Sequence, residues 1–177
     1  MGALCSAELL RPVLKEVAGL LLKLMNGNEM TSSRSDTSLN RGESLIREIS
    51  LVRRGDERGG LIAIEEREVG FLIKRVYFVY ETLPDTSRGF HAHRLLNQIV
   101  VAVTGSCRFV LDDGNVRESV TLEDPTRGLV IGPMIWREMH DFSPGCVLAV
   151  LASAEYDEID YIRSYGDFLA LVKDVGG

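Results

Sequence analysis

Two of the three histidines in the chain, His91 and His93, lie two residues apart in the segment 88–93 (RGFHAH). In an extended segment both imidazoles project from one face, and Phe90 and Ala92 project from the other. Imidazole has an ordinary pKa of about 6.5, so a histidine can take up and return a proton near neutral pH. The spacing therefore predicts either a pair of acid–base groups inside a barrel or a pair of exposed loop histidines.

The residues on both sides of this pair predict short β-strands separated by turns. Each segment is rich in Val, Ile, Leu or aromatic residues, and Gly, Pro and Asp-Gly signals separate the segments. So many short strands favour a β-sandwich or a small barrel over a sheet of alternating strands and helices. The predicted strands are 61–65, 72–80, 98–103, 107–111, 116–122, 128–131 and 146–152.

The two ends of the chain predict helices. Apolar residues at three- and four-residue spacing indicate an amphipathic helix over residues 7–25, and the Ser-, Asn- and Gly-rich segment 26–44 indicates a linker. A second helix is expected over residues 162–173. The chain is thus predicted to divide into an amino-terminal extension, residues 1–45, and a β-domain, residues 46–177.

Composition restricts the classes of function. The chain of 177 residues has 20 Lys and Arg against 26 Asp and Glu, and this net charge of −6 disfavours nonspecific nucleic-acid binding. No apolar run is long enough to cross a membrane. Cys5, Cys107 and Cys146 are too few and too widely spaced for a disulfide framework, which indicates a reducing compartment. We expect a cytoplasmic protein with no nucleic-acid or membrane partner.

The histidine pair is followed at fixed spacing by Gln98 and Gly105. This pattern resembles the first motif of the cupin superfamily, H-x-H-x4-E-x6-G, with Gln98 in place of the metal-binding glutamate. The second cupin motif is reduced to a remnant, in which Glu138 stands where a histidine is expected. The resemblance implies an all-β fold, the double-stranded β-helix (jelly-roll) barrel of the cupins, here with an amino-terminal helical extension and a carboxy-terminal helix. The two imidazoles, one neutral amide and one displaced carboxylate suit a divalent ion poorly, so we expect no metal.

Several segments in the same order resemble a narrower family, the dTDP-4-keto-6-deoxyglucose 3,4-ketoisomerases, or WxcM-like sugar-nucleotide cupins. The resemblance extends from about residue 46 to the carboxyl terminus. It implies an isomerase that moves the keto group of a dTDP-4-keto-6-deoxyhexose from C4 to C3, in biosynthesis of 3-amino-3,6-dideoxyhexoses. It also implies a homodimer with exchanged strands, no organic cofactor, and catalysis by the histidine pair. The segments are 61–66, 73–77, 88–93, 105–108, 111–114, 132–133, 136–142, 151–153 and 156–163.

The implied chemistry is a proton transfer through an enediol. A base of near-neutral pKa removes the C3 proton, which the C4 carbonyl acidifies, and a proton is delivered to C4. We assign the base to His93 and a shuttling or polarising role to His91, with the exchanged assignment as the alternative. Tyr77 is a candidate proton donor to the sugar oxyanion, or else a packing residue.

The diphosphate of such a substrate requires cationic partners in an acidic chain. Alternation along residues 72–80 places Arg75 and Tyr77 on one face, and an arginine among apolar strand residues is favoured if an anion meets it. Arg88, beside the histidines, and Arg108 are the other candidates, and each arginine has a solvated or salt-bridged alternative. The other predicted substrate-binding residues are Gln98, Trp136 and Glu138.

Three further features of the sequence lie outside the histidine segment. Trp136 either stacks on the thymine or packs in the core. His140 either faces the cavity or, as we favour, is a hydrogen-bonded structural histidine at a strand end. The acidic run 155–160 is interpreted as a solvated turn.

The sequence is also compatible with two other functions. One is a metal-dependent cupin, such as a dioxygenase or a sugar-phosphate isomerase, for which stoichiometric Fe, Zn or Mn would be the evidence. The other is a barrel that binds a nucleotide-sugar without transforming it. The histidine pair argues for chemistry, because phosphate binding alone requires arginine rather than paired imidazoles.

Overall fold

The structure is a computed structural model that describes residues 44–83 and 85–175. The predicted amino-terminal helix and nearly all of the predicted linker lie outside these residues. Within them, helix α1 spans Glu66–Val69, helix α2 spans Tyr165–Val175, and a 3-10 turn spans Glu158–Asp160. The strands are β1 Arg47–Ser50, β2 Arg53–Asp56, β3 Gly59–Ile62, β4 Arg75–Val79, β5 Arg88–His93, β6 Gln98–Thr104, β7 Cys107–Asp112, β8 Arg117–Leu122, β9 Arg127–Ile131, β10 Trp136–His140, β11 Val147–Ala152 and β12 Tyr161–Ile162.

The strands form two five-stranded antiparallel sheets and one hairpin. The first sheet has the order β1-β9-β6-β11-β4, the second has the order β12-β5-β10-β7-β8, and β2 pairs with β3. One apolar core joins the inner faces of the two sheets, with Val100 and Leu148 from the first sheet and Phe109 and Leu111 from the second. The described part of the chain is therefore mostly β, as the sequence predicts.

Five of the predicted strands match β6, β7, β8, β9 and β11 to within one residue at each end. The predicted strand 72–80 is shorter in the structure, where β4 begins at Arg75, and the predicted strand 61–65 overlaps β3 only at Leu61 and Ile62. The carboxy-terminal helix begins at Tyr165 rather than at residue 162, because Tyr161 and Ile162 pair with β5. None of the α-helices in the described residues is long and apolar enough to cross a membrane.

The alternation predicted along β4 is confirmed. Arg75, Tyr77 and Val79 are half-buried, whereas Val76 and Phe78 are exposed. Tyr77 and Val79 pack against the core between the sheets. The inward residues of β4, which is the edge strand of its sheet, therefore line one side of the barrel interior.

Helix α2 covers the outer face of the second sheet. Phe168 is fully buried against Ala92, Trp136 and Ile162, and this cluster closes the side of β5 and β10 that faces away from the barrel interior. The residues that alternate with Ala92 and Trp136 therefore point inward. They are the residues that form the candidate active site.

Candidate active site

The histidine pair projects into the barrel from β5, which is the first of the two arrangements that the spacing allows, and neither ring is an exposed loop histidine. A register shift where β5 meets β10 leaves Phe90 unpaired, and Gly89 before it has a φ of 91°. A Cβ on Gly89 would lie 2.8 Å from the carbonyl oxygen of Arg137, so only glycine fits without displacement. Beyond this bulge His91 and His93 face inward, with ring centroids 4.9 Å apart and perpendicular planes.

Both imidazoles bond to the protein through Nδ1. Nδ1 of His91 lies 2.9 Å from the carbonyl oxygen of Gly89, which can only accept, so Nδ1 carries the proton. Nδ1 of His93 lies 2.8 Å from Oδ2 of Asp160 and donates to that carboxylate. Nε2 is thus the unprotonated nitrogen of each ring. Nε2 of His93 is buried and has no partner among the described residues.

The carboxy-terminal segment holds this arrangement in place. Oδ1 of Asp160 accepts from the backbone N–H of Leu95, while its backbone carbonyl accepts from the N–H of Arg94. The ring of Tyr161 lies 4.2 Å from that of His93. The interpretation of the acidic run as a solvated turn is therefore wrong for Asp160, which is tied to a histidine that is only 1% exposed.

A second group of polar side chains faces the histidines from three strands. Nη1 of Arg137 on β10 donates to Oε1 of Gln98 on β6 at 3.1 Å, and Nε2 of Gln98 donates to the hydroxyl of Tyr77 on β4 at 2.7 Å. Arg137 is 2% exposed, and its Nε has no partner among the described residues. The site therefore contains a buried cation.

Burial governs the pKa values in this site. Burial lowers the pKa of His91 to about 4. Burial and the nearby charge of Arg137 lower the pKa of His93. Burial raises the pKa of Tyr77 and lowers that of Arg137 to about 10. At neutral pH both histidines are neutral, Tyr77 carries its proton, and Arg137 is charged.

Arg75 also lies at this site. Its guanidinium is 5.2 Å from the ring centroid of Tyr77 and 5.8 Å from that of Tyr156. Its Nε is buried without a hydrogen-bond partner in the described part of the chain. A second guanidinium, that of Arg163, lies 4.3 Å from the ring centroid of Tyr161.

The structure does not bring the other two predicted arginines to the pair. Arg108 forms an exposed ion pair with Asp141 at 2.6 Å, and its neighbours Cys107 and Phe109 are the residues that point into the core. Arg108 is therefore on the outside of the barrel, and its salt-bridged alternative is the observed one. Arg88 is exposed at the start of β5.

Trp136, Glu138 and His140 lie on the outer face of β10, opposite to Arg137. Trp136 is 3% exposed and packs against Phe168, so it is a core residue beneath α2 and does not line the cavity. Glu138 accepts hydrogen bonds from Trp136, His140 and Arg117, which occupy both of its carboxylate oxygens. The assignment of Trp136 and Glu138 as substrate-binding residues is corrected accordingly.

His140 is a structural histidine, as favoured from the sequence. Its Nε2 bonds to Glu138 at 2.9 Å and its Nδ1 to the hydroxyl of Ser87 at 2.8 Å. Both ring nitrogens are thus engaged at the end of β10, and neither is available for substrate.

A divalent cation does not suit this set of side chains. No group of three or more His, Cys, Asp or Glu side chains in residues 44–83 and 85–175 could hold a metal ion. Beside the two histidines stand the neutral amide of Gln98 and Arg137, which is charged at neutral pH and repels a cation.

Comparison with known proteins identifies the family. Residues 44–173 match the family described as FdtA: WxcM-like, C-terminal. The curated TDP-4-oxo-6-deoxy-alpha-D-glucose-3,4-oxoisomerase of Aneurinibacillus thermoaerophilus is 54% identical over 114 residues, which are 64% of this chain and 82% of that protein. The chain belongs to the WxcM-like FdtA family.

Solved structures of sugar 3,4-ketoisomerases agree with this membership. QdtA of Thermoanaerobacterium thermosaccharolyticum in complex with TDP is 40% identical, with a TM-score of 0.72 over 73% of this chain and 96% of QdtA. A histidine-to-asparagine variant of QdtA, in complex with TDP-4-keto-6-deoxyglucose, is 39% identical with the same TM-score over 75% and 96% of the two chains. The 3,4-ketoisomerase of Helicobacter canadensis is 46% identical, with a TM-score of 0.71 over 73% and 98%. The predicted cupin-like fold and 3,4-ketoisomerase class are confirmed.

Sequence reasoning missed Arg137, Asp160 and Tyr161 in this FdtA-family site. Arg137 lies in the stretch 136–142, and the predicted strands did not include β10. A period-two pattern through Trp136, with Trp136 outward, would have placed Arg137 inward beside the histidines. No local signal identifies Asp160, because its partner His93 lies 67 residues earlier in the chain.

Proposed function

We propose that the chain converts a dTDP-4-keto-6-deoxyhexose to its 3-keto isomer by proton transfer through an enediol. The observation that carries the proposal is the orientation of Nε2 of His93. It is buried, unprotonated and without a partner among the described residues, the charge of Arg137 acts on the same ring, and Gln98 links Arg137 to Tyr77. A base that is kept from water and placed beside a cation suits the removal of a proton next to a carbonyl.

The first half of the reaction forms the enediol. Nε2 of His93 takes the proton from C3, whose electrons form the C3–C4 double bond as the C4 carbonyl π electrons move onto O4. The charge of Arg137 stabilises the developing oxyanion, and the Tyr77 hydroxyl donates its proton to O4. Asp160, on the far side of the His93 ring, stabilises the imidazolium that results.

The second half reverses the roles of the two carbons. His91 removes the proton from O3, the C3 carbonyl forms, and C4 takes a proton from the imidazolium of His93. The proton held by His91 restores the hydroxyl of Tyr77. The net change moves one hydrogen from C3 to C4 and one from O3 to O4, with no external oxidant. The 3-keto product has the carbonyl that an aminotransferase requires to make a 3-amino-3,6-dideoxyhexose.

The diphosphate is proposed to bind at Arg75, and Arg88 remains a candidate at the exposed start of β5. Arg75 lies beside Tyr77 with a buried Nε that has no partner among the described residues, and an anion would supply the missing acceptor. The TDP complex of the QdtA relative supports this class of ligand. The observed pairing of Arg108 with Asp141 leaves that residue out of the proposal.

The proposed active form is a cytoplasmic homodimer that exchanges strands. Strand β4 is the edge of its sheet, and its outward residues Val76 and Phe78 are 52% and 58% exposed. An apolar edge strand of this kind is suited to pair with a second copy of the chain. Cys107 and Cys146 are free thiols in the core, in keeping with a reducing compartment.

The test of the reaction uses TDP-4-keto-6-deoxyglucose in D₂O, followed by NMR. The wild-type chain is expected to form the 3-keto product and to place solvent deuterium at C4, the carbon that takes its proton from the exchangeable imidazolium of His93. His93→Asn is expected to reduce turnover by about 10²- to 10⁴-fold, which is the usual contribution of a positioned base. His140→Asn, on the outer face, is the matched control and should turn over within threefold of wild type. Near-normal turnover and C4 deuteration in His93→Asn would refute the assignment of the base.

The dimer is tested by light scattering after gel filtration. Wild type is expected to elute at twice the chain mass, and Phe78→Lys at the chain mass, because a charge on the apolar edge opposes pairing. Val116→Lys places the same charge on another exposed apolar residue, outside β4, and should leave the dimer intact. A monomeric wild type would exclude the proposed assembly.

A further inference from the structure

The geometry points to Gln98 as a positioning residue that directs the hydroxyl proton of Tyr77 toward the substrate and leaves the charge of Arg137 unneutralised. This inference rests on the proposed function and assigns a new role within the same site. It replaces the prediction that Gln98 binds the substrate. The side chain of Gln98 is 3% exposed, and both ends of its amide are engaged by protein groups.

Arg137 fixes the direction of both hydrogen bonds of Gln98. A guanidinium can only donate, so the atom of Gln98 that faces Arg137 is the oxygen Oε1. The amide nitrogen Nε2 must then face Tyr77, at 2.7 Å. An amide nitrogen can only donate, so the oxygen of Tyr77 is the acceptor.

It follows that the proton of Tyr77 is not used on Gln98. No other hydrogen bond of this hydroxyl is found among residues 44–83 and 85–175, so its proton is free to be donated into the cavity. Burial raises the pKa of Tyr77, so the proton is present at neutral pH. Gln98 thereby prepares the hydroxyl as a donor before substrate arrives, which avoids the cost of reorienting it during the reaction.

The neutrality of Gln98 has a second consequence. In the described part of the chain, Arg137 has no carboxylate within salt-bridge distance, and its contacts are Oε1 of Gln98 and the carbonyl of Gly132. Its charge is therefore available to an oxyanion on the sugar. Neutral acceptors hold the guanidinium in position and leave that charge intact.

A glutamate at position 98 would reverse both effects, although it has the same shape. An ionised carboxylate only accepts, so the proton of Tyr77 would turn toward it and away from the substrate. Its negative charge would also form an ion pair with Arg137. A methionine of similar length would make neither hydrogen bond, yet it would leave the Tyr77 proton free and Arg137 charged.

The test compares the variants Gln98→Glu and Gln98→Met. We expect kcat to fall by about 10²- to 10³-fold in Gln98→Glu, the usual cost of losing an oxyanion donor. In Gln98→Met the fall should be tenfold or less. KM should stay within threefold in both, and TDP affinity within twofold, because neither change removes a contact to the nucleotide. A role in packing or in substrate binding predicts the opposite order, with the isosteric glutamate the milder change.

The possible outcomes separate this inference from the proposed function. A wild-type chain that does not isomerise TDP-4-keto-6-deoxyglucose refutes the proposed function. An active wild type with Gln98→Glu at or above Gln98→Met refutes the inference alone. Should Gln98→Met not fold, Tyr77→Phe replaces it. In that background the loss caused by Gln98→Glu should be smaller, because only its ion pair with Arg137 then lowers kcat, and an undiminished loss contradicts the role assigned to the Tyr77 proton.

Discussion

The carboxylate of Asp160 accepts a 2.8 Å hydrogen bond from Nδ1 of His93, which lies 67 residues earlier in the chain. The contact joins the 3-10 turn near the carboxyl terminus to strand β5 in the barrel wall. It fixes the tautomer of His93 so that Nε2 faces the cavity, and it places a negative charge where the imidazolium will form. Burial disfavours that imidazolium, and Asp160 is the group that opposes this effect.

We expect Asp160→Asn to reduce kcat by at least about 10-fold and by up to about 10⁴-fold, the loss seen when the aspartate behind a catalytic histidine becomes asparagine. Asparagine has nearly the same shape but no charge to stabilise the imidazolium. The measurement is steady-state formation of the 3-keto sugar, with TDP affinity determined separately and expected to stay within twofold. Glu155→Gln, an exposed change in the same acidic run, is the control. Full activity in Asp160→Asn would mean that the contact serves only the fold.

Arg137→Met is expected to reduce kcat by about 10²-fold or more while the chain still folds. Methionine can occupy the same buried volume, and it removes the charge that is proposed to stabilise the enediolate. Removing a buried cation also removes its desolvation cost, so the midpoint of urea unfolding should not fall by much. The rate is measured with saturating substrate. A kcat within threefold of wild type would show that the charge is not used in the reaction.

Much of this fold could be predicted from the sequence, because its signals are local. The Asp113-Gly114-Asn115 turn between β7 and β8 is one example. The side chain of Asp113 accepts from the backbone N–H groups of Asn115 and Val116, and the two strands pair as expected. Strand β2 was missed because its sequence, RRGD, is polar and fully exposed. Nothing in such a segment distinguishes a strand from a loop until its partner β3 is known.

The site could be predicted only where local alternation along one strand places its residues. His91 and His93 lie on one strand, so the period of two is sufficient to place them together. The placements of Trp136 and Glu138 depend on which face of β10 looks inward, and that is decided by α2, which covers Trp136. Tertiary packing of this kind leaves no pattern in the residues around position 136.

The free energy of unfolding is expected to decrease as the pH falls from about 6.5 toward 4. Burial lowers the pKa of His91 to about 4, whereas in the unfolded chain it returns to about 6.5. Between these values the unfolded state binds more protons than the folded state, so acidification favours unfolding. Urea unfolding at pH 7 and pH 5 measures the effect, and His91→Asn should show a smaller difference between the two pH values. An equal difference in the variant would contradict the low pKa.

The hydrogen-bond network on the outer face of β10 is expected to serve stability rather than turnover. Burial alone would raise the pKa of Glu138, but the hydrogen bonds from its three donors together lower it, so the residue is a carboxylate. In Glu138→Gln the charge that faces Arg117 is lost and the amide requires the other tautomer of His140, so we expect a loss of about 1–3 kcal/mol in the free energy of unfolding.

The measurement is urea unfolding of Glu138→Gln beside the exposed change Glu123→Gln, which should leave stability within about 0.5 kcal/mol of wild type. Turnover of both variants should stay within threefold, because Trp136 and Glu138 point away from the face that carries Arg137 and the histidines. A large fall in kcat at unchanged stability in Glu138→Gln would contradict this prediction and show that Glu138 acts in the reaction.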